Sequence, residues 1–132
     1  MLPAPVPLSL IVCERVIVEE GTGNISLISC FTKLLVDSFP TDPQRLAVFS
    51  AFRSGLGAGT IDLVITQVET DEEIDTSRSA VEFPDRLREV CVIFTLEHCI
   101  FPGPGRYLFT ITIDGEWAGQ REIDVAAMED ET

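Results

Sequence analysis

The side chains able to do acid–base or nucleophilic work are few and scattered along the chain. A nucleophile needs a base, and the base needs a third group to orient it. The only histidine is His98, set between Glu97 and Cys99. Neighbours on an extended strand point to opposite faces, so neither Glu97 nor Cys99 is expected to partner its imidazole. No recognised nucleophile motif accompanies it. His98 therefore reads as a strand-end histidine facing solvent, and the chain as having no catalytic residue and no enzymatic activity.

Cys13, Cys30, Cys91 and Cys99 form no CxxC pair and have no histidine at zinc-ligand spacing. Cys91 and Cys99 fall in one extended run that would hold them about 26 Å apart, beyond disulfide reach. Cys13 and Cys30 flank a predicted hairpin and stand opposite each other if its loop centres on Gly21 and Thr22. A disulfide between them is geometrically open, but buried thiols used as small hydrophobes suit a reducing cytoplasm. Asp71, Glu72, Glu73 and Asp75 are the one carboxylate cluster able to hold calcium through oxygen ligands. They lack the spacing of a pre-organised loop, so a low-affinity cation site is the most they offer, and a solvated hairpin tip is the plainer expectation. Ser54-Gly55-Leu56-Gly57-Ala58-Gly59 is glycine-rich, yet no Lys-Ser or Lys-Thr follows it and a strand comes next, so it reads as a flexible connection. Trp117 lies just past a hairpin turn, where it either caps the sandwich edge or projects as an interface anchor. No cofactor is implied.

The elements that carry these residues read as strands. Runs of six to ten residues rich in Val, Ile and Phe alternate with clusters of Gly, Pro, Asp and Ser, the spacing of a sandwich or barrel. Leu8 to Glu19 and Ile25 to Val36 form a hairpin about Glu20–Asn24. Leu46 to Arg53, Thr60 to Thr70 and Ser79 to Phe83 follow. A brief turn, helical or not, spans Arg86 to Glu89. Val90 to Cys99 is apolar on both parities, as a central strand covered on both faces would be. Tyr107, Phe109, Ile111 and Ile113 alternate with Leu108, Thr110, Thr112 and Asp114, marking one buried face. Asp114-Gly115 then turns the chain. A strict two-residue turn would align Glu116, Ala118, Gln120 and Glu122 with the buried face. A three-residue turn or bulge instead aligns Trp117, Gly119, Arg121 and Ile123 with Ile113, Ile111, Phe109 and Tyr107, and is preferred because register follows the buried face.

The expected fold is one antiparallel, immunoglobulin-like β-sandwich of seven to eight strands over residues 1–127, with an acidic frayed tail at 128–132. At 132 residues and 45% hydrophobic the chain can close such a core without staples. Nine basic residues against 22 acidic give a net charge of −13. That total repels phosphate backbones and anionic lipid, leaving basic protein faces and divalent cations as expected partners and excluding nucleic acid and membrane. The first residues hold three prolines and no basic start, unlike a signal peptide. No stretch nears the ~20 apolar residues of a membrane span, so a cytoplasmic protein is expected.

Three stretches together carry a family resemblance. They are Leu10-Ile11-Val12-Cys13-Glu14-Arg15-Val16-Ile17 with Gly23-Asn24-Ile25-Ser26-Leu27-Ile28, then Leu46-Ala47-Val48-Phe49, and Phe101-Pro102-Gly103-Pro104-Gly105-Arg106-Tyr107-Leu108-Phe109 with its Asp114-Gly115 hairpin. In this order, over nearly the whole chain, they resemble a family of small bacterial proteins classed as a domain of unknown function. The Pro-Gly-x-Tyr strand start is also similar to immunoglobulin-like sandwiches. The resemblance implies the fold and a bacterial cytoplasm, and carries over no site residue. The expected function is a non-catalytic protein-interaction or binding module whose partner is another protein or a second copy of this chain, as in a homodimer. The alternatives are a self-assembling structural homo-oligomer and an enzyme whose site is assembled from distant residues.

Overall fold

Strands dominate because β-branched and aromatic residues recur at period two, which gives each run one face to bury. The computed structural model describes residues 5–128. Its nine strands are β1 (Val6–Val18), β2 (Ile25–Cys30), β3 (Lys33–Val36), β4 (Gln44–Arg53), β5 (Gly57–Gln67), β6 (Glu73–Phe83), β7 (Val90–Cys99), β8 (Gly105–Ile113) and β9 (Glu116–Ala127). They form two sheets, β2-β1-β4-β7 (sheet A) and β3-β9-β8-β5-β6 (sheet B). Val12, Val48, Phe52 and Phe94 from sheet A share one buried cluster with Leu63, Ile65, Phe109 and Ile123 from sheet B.

The all-β fold is as expected, with several corrections. The run 25–36 is two strands rather than one. The chain breaks at Phe31 and Thr32, leaves sheet A and enters sheet B, where Asp124 N–H donates to Thr32 O at 3.0 Å. There β3 pairs with β9 in parallel, the one parallel pair among the described strands. Its four residues were too short a run to stand out, which is why fewer strands were expected. β7 lies at the edge of sheet A, and the interior strands are β1 and β4. Arg86–Glu89 is a turn without helix; Asp85 Oδ1 accepts from Leu87 N–H at 2.8 Å and Arg88 N–H at 3.0 Å, closing it locally. The C-terminal residues 129–132 of the expected tail lie outside the described residues. No helix among those described is long and apolar enough to cross a membrane.

Both hairpin registers follow their buried faces. Cys13 stands opposite Cys30. In the last hairpin Tyr107, Phe109 and Ile111 face Ile123, Arg121 and Gly119, as expected for a bulge. The bulge falls between Ile111 and Thr112, so Trp117 pairs with Thr112 and Glu116 with Ile113, one step from the expected match. The turn before β8 is held by Tyr107, whose buried hydroxyl donates to Gly103 O at 2.6 Å, with its ring edge-on to Phe101 at 4.8 Å.

The glycine-rich connection after β4 is packed rather than free. A Cβ on buried Gly55 would sit 2.6 Å from the Phe83 ring, whereas one on Gly119 would meet nothing. Phe83 is in the core and has no room to yield. Gly55→Ala is therefore expected to cost about 1–3 kcal/mol by overpacking, and Gly119→Ala to stay within about 0.5 kcal/mol. Urea unfolding of the two variants beside the parent measures both.

Candidate functional site

The structure disperses the residues that chemistry would need together. On β7 two residues, Glu97 and His98, oppose the single Arg45 of β4, since Gln44 pairs with Cys99 but Leu46 with Leu96. This bulge turns both Glu97 and His98 to solvent, so strict alternation fails there. His98 nonetheless makes no hydrogen bond to Glu97 or Cys99. Asp71 and Glu72 lie in the β5–β6 turn, while Glu73 and Asp75 belong to β6. The register shift that passes over Ile74 separates the last two. Among the described residues no three His, Cys, Asp or Glu side chains converge as metal ligands. Trp117 is 64% exposed on β9 and does not cap the sandwich.

The thiols differ by environment. Burial first, then the Asp75 charge, pushes Cys99 up to about 12, so it is a neutral core side chain at physiological pH. Burial also raises Cys91, aided by the Glu89 carboxylate that its thiol faces at 3.8 Å. Burial raises Cys13, with Cys30 adding to the shift and a 3.4 Å bond to Arg15 O opposing it. A raised folded value means that the native state holds its proton longer than the unfolded chain does. Stability supplied by neutral Cys99 is thus complete below the reference value of 9.0 and is lost as pH rises toward 12. The expected slope from this group is about 1.4 kcal/mol per pH unit across that window. Denaturant unfolding at several alkaline pH values measures it, and Cys99→Ala should flatten the slope.

The feature that stands out is the contrast between the two outer sheet faces. Sheet B presents mostly polar side chains and ion pairs, with Trp117, Val64 and Leu108 as separate apolar positions among them: Arg78 meets Asp62 at 2.6 Å, and Arg106 meets Glu122 at 3.3 Å and Glu69 at 3.7 Å. Sheet A presents an apolar row. Ile11, Phe49 and Ile93 are cross-strand neighbours on β1, β4 and β7, all half-buried. Buried Ala47 and Ala51 flank Phe49 and keep the floor low. On the β1–β2 hairpin beyond the core, Ile17 is 43% exposed on the same face. Arg15, Arg45 and Arg53 rim this face, all exposed. A shallow cavity of about 250 Å³ lies among Glu14, Arg15 and Arg45, below the usual size of a small-ligand site. An antiparallel sheet with one solvated face is normally polar there; a continuous apolar face marks an interaction surface. Sequence reasoning missed this face. Its signal was present in β7, whose apolar residues on both parities were read as cover on both sides.

The family model described as "Family of unknown function (DUF6941)" matches residues 8–126, and the chain belongs to that family. No curated protein matches it. Among solved structures, it is similar to the Pseudomonas fluorescens alkylpurine DNA glycosylase AlkC bound to DNA containing an abasic site analog. The TM-score is 0.53 at 13% identity, over 73% of this chain and 28% of that one. This likeness concerns the fold. It also corrects the exclusion of nucleic acid: a chain sharing this fold is found on DNA, so net charge is no ground for striking that partner out. A total of −13 does not describe each face, as the three arginines around sheet A show.

Trp117, on the other sheet, is expected to carry little of the fold. Trp117→Ala should shift the urea-unfolding free energy by less than about 1 kcal/mol. A larger loss would return it to the core.

Proposed function

We propose that this member of a family of unknown function is a non-catalytic protein-interaction module that docks its partner on the outer face of sheet A. The apolar row Ile11–Phe49–Ile93 is the observation that carries the reading. Its side chains have no hydrogen-bonding groups, and burying them against another apolar surface is favourable at roughly 25 cal/mol per Å². The flat alanine floor suits a sheet or helix face more than a small molecule. Arg15, Arg45 and Arg53 complement carboxylates at the partner's rim, which steers encounter and register. The partner is thus a protein surface with an apolar centre and an acidic margin.

The test is affinity capture from native lysate with three baits: the parent, Ile11→Thr with Ile93→Thr, and Arg45→Glu with Arg53→Glu. Threonine keeps β-propensity, and the two arginines are exposed, so all three baits should fold, as circular dichroism would verify. A protein retained by the parent and lost from both variants is expected, with affinity at least about tenfold weaker in each. Retention of the same proteins by all three baits would overturn the proposal. So would tight binding of a DNA duplex with an abasic-site analogue by a parent that retains no protein.

A further inference from the structure

We propose that Cys13 and Cys30 form a reversible cross-strand disulfide by exchange with a low-molecular-weight disulfide. The two are direct partners across β1 and β2. The flanking ladder bond runs from Phe31 N–H to Val12 O at 3.1 Å, which makes the cysteines a non-hydrogen-bonded pair. In such a pair the Cα atoms approach to about 4.5 Å, inside the range of about 4.4–6.8 Å that a disulfide spans. Both thiols are free in the structure. They differ in access: Cys30 is exposed, and Cys13 is fully buried beside it.

That asymmetry orders the chemistry. The Cys30 thiolate, having given up its proton to water, attacks the small disulfide, forming one S–S bond and expelling one small thiolate. Cys13, deprotonated in turn, attacks the Cys30 sulfur from within the fold, forming the protein disulfide and expelling the second small thiolate. The two expelled thiolates take up the two protons. The protein is oxidised by two electrons, and one small disulfide is reduced to two small thiols. The bond closes the base of the β1–β2 hairpin, where β1 leaves the core. This proposal does not rest on the docking surface assigned above, because it is read from covalent linkage alone.

The experiment treats fully reduced protein with oxidised glutathione and follows mass and trypsin peptides. Trypsin cuts after Arg15, between the two cysteines, so their bond holds two peptides together until a reductant is added. The expected result is loss of two hydrogens from the protein, the linked peptide pair, and a melting temperature raised by roughly 10 °C that dithiothreitol reverses. Cys91→Ser should still form the link. Cys30→Ser, altered at an exposed position, should fold and form none. A lasting glutathione adduct on Cys30 with Cys13 still free would overturn the proposal. The same holds for a bond between other cysteines, or for no reaction.

Discussion

The register of β4 between β1 and β7 is the constraint on which the rest depends. β4 carries apolar residues on both parities, so pairing alone decides which of them close the core. With Val48 between Val12 and Phe94, the even-numbered residues Leu46, Val48 and Phe52 turn inward against sheet B. The odd-numbered Ala47, Phe49 and Ala51 then turn outward. A slip of one residue would exchange the two sets, trading a large inner cluster for one built around two alanines. Core packing thus dictates the outer face as well, and the apolar row on that face comes from the same decision.

The outer face of sheet B answers a different demand. Its ion pairs involve exposed side chains such as Arg78, where solvent screens the attraction and little stability results. They mark a solvated surface more than they hold the fold. Among the described residues the outer face of sheet A shows no such pair, and its exposed arginines stand at the margin of an apolar floor. A net charge of −13 sums over both faces and does not describe the arginine rim of sheet A, so it is no ground for excluding a class of partner.

Much of the fold was legible because burial speaks through alternation. Tyr107, Phe109, Ile111 and Ile113 declared one buried face, and their register with β9 followed once a bulge was allowed. The match of Cys13 with Cys30 needed only the position of the hairpin loop. What stayed hidden has physical causes. β3 is four residues long, and its change of sheet at Phe31 depends on a parallel partner far along the chain. Glu97 and His98 share a side because of a bulge that no residue type announces. Sequence also gives no means of telling a strand covered on both faces from one covered on one face with an apolar outer surface. β7 was therefore placed at the centre, and the row through Ile93 passed for core.

The central claim, that the outer face of sheet A is where the protein meets its partner, is tested most directly by photo-crosslinking in cells. A photoreactive benzoylphenylalanine would be introduced at Phe49 on sheet A, and separately at Val64, the half-buried outer position of β5 on sheet B. The account predicts a discrete protein adduct from position 49 and none from position 64. An adduct from position 64 with none from position 49 would contradict it.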